Sequence, residues 1–383
     1  MWTLLIGLSA STWAFAGDSP LLGEAVGLDE PKSAQDAQAA PQVESRGYLL
    51  AEGVGKVTDR WMDDFPAAEL GLNAKWKPSW TLLLDGQMDV TGKLAPKREP
   101  DSILVANQLF LRARVPEDWM AGVAFTLGKE RSRRSSALIL SPSDFLYARD
   151  GLPGQRGLNQ GRWQAKWAWS SGVHGIDLAV LPWSADRDNG IPDTQTAQAQ
   201  TWARASSGFG SWDFGIQGGR LSNAWKVGAN VQTYLWDVEK LYAEWGYSAD
   251  EPEPHHAVLI GTVYEGSEVV TARGEFLYQG AGMDSDEYDR LLMVRKLFPA
   301  IAATVAGSKE MNLFLRRFYA IGQVGFPEIR DRLNFFVTGI KSLEDRGLFL
   351  NFRLEWLIAS AWAAGGTYGY LGGDTDSQYR FSP

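Results

Sequence analysis

Leu127-Gly-Lys-Glu-Arg-Ser-Arg-Arg134 leads into Ser141-Pro-Ser-Asp-Phe-Leu146 and then Pro153-Gly-Gln-Arg-Gly157. Two alternating segments follow, Arg162–Trp169 and Gly175–Trp183. Side chains on a strand point to opposite faces in turn. Trp163, Ala165, Trp167 and Trp169 therefore share one face, and Arg162, Gln164 and Lys166 share the other. Ile176, Leu178, Val180 and Pro182 oppose Asp177 and Ala179 in the same way. The turn-rich stretch between the alternating runs reads as a long ordered loop that joins two barrel walls and folds back into the lumen.

The same texture extends outward in both directions. Trp80, Leu82, Leu84, Met88 and Val90 alternate with Thr81, Leu83, Asp85, Gln87 and Asp89. Leu109, Leu111, Ala113 and Val115 alternate with Gln108, Phe110, Arg112 and Arg114. Trp119, Ala121, Val123, Phe125 and Leu127 form the next outer row. Downstream, candidates fall near 198–206, 210–220, 225–236, 240–248, 256–264, 267–278, 311–324, 331–341, 347–358 and 360–371, with further ones near 46–57 and 67–77. The expected fold is all-β: a single transmembrane antiparallel barrel of about 16 strands, with 14 to 18 acceptable. Two stretches break the rhythm. Asp284 to Val305 reads as a loop with a short helix, and Asp186 to Gln200 as an exposed loop.

Alternation also occurs in soluble sandwiches, so a membrane wall needs further support. Aromatic residues recur near strand ends on the apolar face: Trp80, Trp119, Trp169, Trp183, Trp202, Trp245, Tyr247, Trp356, Tyr368 and Tyr370. Such residues favour lipid–water boundaries. The opposite face carries charges, which a dry core would not accept and a wet lumen would. Apart from the N-terminus, no apolar run approaches the roughly 20 residues that a membrane helix needs.

Composition removes several function classes. The chain has no cysteine, which excludes disulfides, thiol catalysis and thiolate metal sites. Its net charge of −9 argues against nucleic acid as a partner. Met1-Trp-Thr-Leu-Leu-Ile-Gly-Leu8 is a short apolar run ending at Ala14-Phe-Ala16, a leader-like cleavage pattern, although no Lys or Arg precedes it. The domain reading is therefore a signal peptide at 1–16, a flexible segment at 17–45 and the barrel at 46–383. That order fits the outer membrane of a Gram-negative bacterium. Lipid and the barrel-assembly machinery would be its partners, and a homo-oligomer is left open.

On the residues Leu127-Gly-Lys129, Ser141-Pro-Ser-Asp-Phe-Leu146, Gln155-Arg-Gly157 and Val180-Leu-Pro-Trp183, the sequence resembles porin-like outer-membrane barrels of the alginate-export type and related families. The resemblance implies a barrel with an inward loop narrowing a pore that passes a solute. The cluster Arg131-Ser-Arg-Arg134 stands where those families place a Trp-Gly pair.

Strand parity turns Arg112, Arg114, Arg162 and Lys166 inward, and the basic cluster Lys129, Arg131, Arg133 and Arg134 is read with them as candidate pore lining, faced by Asp85 and Asp89. Basic side chains along a lumen favour anions. Ser141, Pro142, Asp144, Phe145 and Arg156 are the candidate constriction-loop residues, with Asp144 able to cap the loop by accepting backbone N–H bonds. Arg273 with Glu275, and Arg353 with Glu355, are spaced to form ion pairs on one face. The function expected is diffusion of small polar, preferentially anionic solutes. A non-conducting structural or adhesive outer-membrane barrel with a plugged lumen is the alternative, with 284–305 or 17–45 as the plug. An outer-membrane hydrolase would need a Ser, a His and an orienting third group, and His174 beside Ser170 and Ser171 does not supply that by proximity in sequence. No catalytic, cofactor or metal site is expected. His255-His256 alone does not make a metal site.

Overall fold

The computed structural model describes residues 2–8, 42–57, 67–77, 83–94, 103–115, 117–130, 135–145, 162–182, 200–221, 224–236, 238–249, 254–265, 269–297, 314–329, 332–359, 362–374 and 377–378, with side chains only from residue 109 onward. Among them lie eighteen strands and two helices. In chain order the strands are β1 (Trp2–Leu8), β2 (Gln42–Val57), β3 (Ala67–Lys77), β4 (Leu83–Leu94), β5 (Ile103–Arg114), β6 (Val123–Glu130), β7 (Arg162–Ser171), β8 (His174–Leu181) and β9 (Gln200–Phe209). They continue as β10 (Trp212–Leu221), β11 (Ala224–Leu235), β12 (Glu239–Ser248), β13 (His255–Tyr264), β14 (Thr271–Gln279), β15 (Phe318–Ile329), β16 (Leu333–Ser342), β17 (Leu348–Ala359) and β18 (Trp362–Gly372). The helices are α1 (Glu117–Met120) and α2 (Ser285–Leu297).

From β2 to β18 every strand pairs antiparallel with the next in sequence, within one sheet. β1 pairs with β2 along its length and meets β18 at Thr3↔Gly369. β1 falls inside the stretch read as a leader, and β2 begins inside the stretch read as flexible. An even number of antiparallel steps separates β2 from β18, so those two strands run parallel. A strand between them keeps the pairing antiparallel throughout. The strand number lies at the upper edge of the range expected from alternation. Strands alternate direction, so the connections 131–161, 182–199 and 280–317 share one end and the short turns at 172–173, 210–211 and 236–238 share the other. Among the described residues no helix is long and apolar enough to cross a membrane.

The two faces of the wall differ as alternation predicts. Leu127 is 68% exposed, Trp225 62% and Ile260 58%. Leu109, Leu111, Phe125, Ile176, Leu178, Ile216 and Leu354 are also exposed. In water this apolar band would be a costly surface, whereas hydrocarbon is its natural solvent. On the inner face Thr126, Glu130, Gln164, Lys166, Asp177, Gln217 and Glu244 are buried.

Three expectations are corrected. Trp119 and Ala121 do not open β6: Glu117–Met120 form α1, and the strand begins at Val123. Trp202 is on the inner face, 8% exposed beside Ala179, Leu181 and Leu221, and not in an outer aromatic belt. The inner face is also not polar all round. Tyr242, Leu259, Val263, Leu277, Ile321, Ile340 and Phe349 point inward from β12 to β17 and form one apolar cluster with Ala137, Ile139 and Phe314.

Candidate functional site

The inward loop is the centre of this arrangement. Residues 135–145 leave the end of β6 and lie against the inner face of β10 to β14. Its anchor is Glu244 on β12, which is 3% exposed. One carboxylate oxygen accepts from Ser135 Oγ at 2.7 Å and from the Ser136 backbone N–H at 3.1 Å. The other accepts from Ser141 Oγ at 2.5 Å and Ser143 Oγ at 2.9 Å. Four donors from one loop thus meet a single wall carboxylate, and hydrogen bonds to charged acceptors are the strong ones. Glu275 on β14 accepts from the Leu138 backbone N–H at 2.6 Å and from Tyr242 Oη. Ser136 Oγ donates to Gln232 Oε1 at 2.7 Å, and Gln217 Nε2 donates to the Ser143 carbonyl.

Backbone docking completes the seat. A Cβ on Gly228 would lie 2.3 Å from the Ser143 carbonyl oxygen, and one on Gly246 1.9 Å from that of Pro142. Only glycine admits the loop backbone so close to the wall. Ile139 is fully buried in the apolar cluster, with Leu138 and Leu140 packed against it. Phe145 packs on the cluster formed by Ala179, Leu181, Trp202 and Leu221.

Ser141, Pro142, Asp144 and Phe145 are therefore all in the inward loop, and Arg156 lies outside the described residues. The cap within the loop runs opposite to expectation: the Asp144 N–H donates to Ser141 Oγ at 3.0 Å. Asp144 itself is buried.

The basic residues are placed by register. Arg112, Thr126 and Lys166 form one inner row across β5, β6 and β7. Arg114 lies one inner position further on and is exposed, and Arg162 stands opposite Glu130. Lys129 stands opposite Leu109 and Trp163, in the outward row, which corrects its placement. Asp85 is in register with Arg112 and Asp89 with Gln108, so both backbone positions adjoin the basic wall and do not face it across the lumen. Arg131, Arg133 and Arg134 lie outside the described residues.

Sequence reasoning missed two inner carboxylates, Glu130 and Glu244, and it named Glu275 only as a partner of Arg273. Glu130 meets Arg112 Nη2, Lys166 Nζ at 2.6 Å and Gln164 Nε2 at 3.1 Å. The odd-even parity of β12 would have placed Glu244 inward. Glu275 takes Tyr242 and Leu138 as hydrogen-bond partners, whereas Arg353 Nη2 does lie 3.7 Å from Glu355 Oε2.

At the end with the long connections, Arg316 is 3% exposed and sits over the Tyr288 ring at 4.6 Å. Its Nη1 donates to the Asp284 carbonyl at 2.8 Å. This tethers α2 to the chain entering β15, where Phe314 meets Tyr319 edge-on at 5.0 Å. Histidines play other parts. His174 Nδ1 lies 3.0 Å from Ser207 Oγ, not from Ser170 or Ser171, and His256 packs on Tyr247 at 4.9 Å. Among the described residues no cluster of three His, Asp or Glu could hold a metal. A concavity of about 930 Å³, lined by Ala165, Leu127, Ala203, Gly218 and Trp225, belongs to the outer wall.

No protein-family model matches the chain, and no curated protein matches it. Among solved structures it is similar to engineered variants of the Rhodopseudomonas blastica porin. One shares 9% identity with a TM-score of 0.48, and covers 86% of this chain and 100% of that one. A triple mutant shares 10% identity with a TM-score of 0.47, at 86% and 100% coverage.

Proposed function

We propose that this chain is a porin-like outer-membrane channel through which small polar solutes diffuse. The observation that carries the reading is an apolar-jacketed barrel with an ordered loop seated in its lumen, beside a wall where the Arg112 side chain stays 27% exposed and Arg114 is exposed. A loop that narrows a lumen sets size selection, and the arginines favour anions. The alginate-export-type resemblance of the loop motif agrees with passage of a solute but does not name one. The expected route is export by a leader at 1–16 and insertion into the outer membrane of a Gram-negative bacterium with the aid of assembly machinery.

A plugged, non-conducting barrel is favoured by a different observation, the apolar cluster around Ile139 that covers the β12–β17 wall. Single-channel recording of the folded chain in a planar bilayer separates the two. Stable steps with an anion-biased reversal potential support the channel, and Arg114→Glu should then reduce the bias severalfold. A folded, heat-modifiable barrel that gives no steps is the plugged protein. N-terminal sequencing of the mature protein tests the leader: a start at Gly17 removes β1 and leaves β2 and β18 as parallel edges.

A further inference from the structure

Strand parity names Arg112 and Lys166 as lumen cations, and the structure binds both to one carboxylate. Glu130 Oε1 meets Arg112 Nη2, and its Oε2 meets Lys166 Nζ at 2.6 Å and Gln164 Nε2 at 3.1 Å. Arg112 also donates from Nε to Thr126 Oγ1 at 3.3 Å. The five side chains come from three adjacent strands, β5, β6 and β7. Glu130 and Lys166 side chains are 3% and 6% exposed, while that of Arg112 is 27% exposed.

The local sequence explains the reach. Thr126, Gly128 and Glu130 occupy successive inner positions of β6, and Gly128 puts no side chain between the other two. Arg112 and Lys166 flank Thr126 in register, so both must extend along the wall toward the loop end to reach Glu130. The gap at Gly128 leaves that path clear. Charged groups at membrane depth are costly unless paired, and here both cations share one carboxylate.

Two cations against one carboxylate leave one net positive charge where parity alone would count two. In the next inner row Asp177 stands opposite Arg204 in register. We propose that Glu130 is the residue that sets the ion selectivity of this lumen. It cancels one cation and holds the Arg112 guanidinium at the wall, so permeating ions meet a weaker anion-attracting field than the basic residues would give alone. This rests on the channel reading above.

The test compares Glu130→Gln with Lys166→Gln by reversal potential in a potassium chloride gradient, with folding checked by heat-modifiable mobility. The first removes the carboxylate and the second removes a cation. The anion-to-cation permeability ratio should be severalfold higher in Glu130→Gln than in Lys166→Gln. That ordering holds even if Lys166 sheds its proton once its partner is gone, because Lys166→Gln then still has one positive charge fewer. Equal ratios in two conducting variants overturn the proposal while leaving the channel intact. Absence of steps from the folded unmodified chain overturns the channel reading and this one with it. Should Glu130→Gln not fold, Lys166→Gln against the unmodified chain decides: a shift toward cations supports the proposal, and an unchanged ratio overturns it.

Discussion

The inner wall from β12 to β17 and the inner wall from β5 to β7 follow the same strand period with opposite chemistry. Leu259, Leu277, Tyr319 and Ile340 point inward from the first and are fully buried. Arg112, Glu130, Gln164 and Lys166 point inward from the second. On the first wall the inward loop brings Ala137 and Ile139, and the chain before β15 brings Phe314. An inner face on a barrel strand need not be polar. It needs to match whatever covers it, and here a folded loop covers one sector while ion pairs satisfy the other.

The largest effect should come from breaking the cover at its anchor. Glu244→Ala removes the acceptor of four loop donors in one step. Stranding buried donors of a charged acceptor should cost at least about 3 kcal/mol of loop seating. The released loop would uncover the apolar wall. Conductance should rise, and protease should cut within 135–145 of the variant but not of the unmodified chain. Unchanged conductance and unchanged protection would show that glycine docking and apolar packing hold the loop without the carboxylate.

Ile139→Ala acts on the same cover from its apolar side. It leaves every Glu244 hydrogen bond in place and opens a hole in the cluster, at a cost of about 3 kcal/mol. Such a loss should lower the temperature at which the folded, fast-migrating band disappears, with a smaller change in conductance than Glu244→Ala gives. A larger conductance change from Ile139→Ala would reverse the order and make packing the primary latch.

Much of this was legible in the sequence. Alternation placed β7 to β14 and β16 to β18 within a few residues, because an apolar outer row against lipid leaves a strong period, whereas the strand expected at 311–324 lies at Phe318–Ile329. The inward loop was legible from Ser141-Pro-Ser-Asp, since its turn residues sit between two alternating runs. The partners of the loop were not. Glu244 lies more than a hundred positions from Ser141 in the chain, and only the curl of the sheet brings them together. Glu130 was hidden for a different reason: beside Lys129 and Arg131 it reads as one residue of a mixed cluster, while its geometry makes it the partner of Arg112 and Lys166. Lys129 was misplaced because the basic run was read as a group and its odd parity, shared with Leu127, was passed over. The apolar inner wall was illegible from any one strand, because Leu259 beside Ile260 carries no sign of which faces lipid.

The smallest effect should come from the far support of the cover, where α2 begins. The Asp284 carboxylate accepts the Glu287 N–H at 2.8 Å, and Glu287 Oε2 accepts the Asp284 N–H at 2.9 Å. This reciprocal pair satisfies two donors that the first helical turn leaves open. The Glu287 N–H, ahead of a contribution from Arg317, holds the Asp284 carboxyl below the usual range. A depressed carboxyl stabilises the folded form above its ordinary pKa, about 3.9, and loses that stabilisation as pH falls through the lowered folded value. The start of α2 should therefore be insensitive to pH near neutrality and open only in strong acid. Asp284→Ala should speed hydrogen exchange at the Glu287 amide severalfold at neutral pH and abolish the acid transition there. Because Glu244 and Ile139 are untouched, conductance should stay close to that of the unmodified chain. Conductance rising as far as in Glu244→Ala would instead make α2 and Phe314, and not the inward loop, the element that closes the apolar wall.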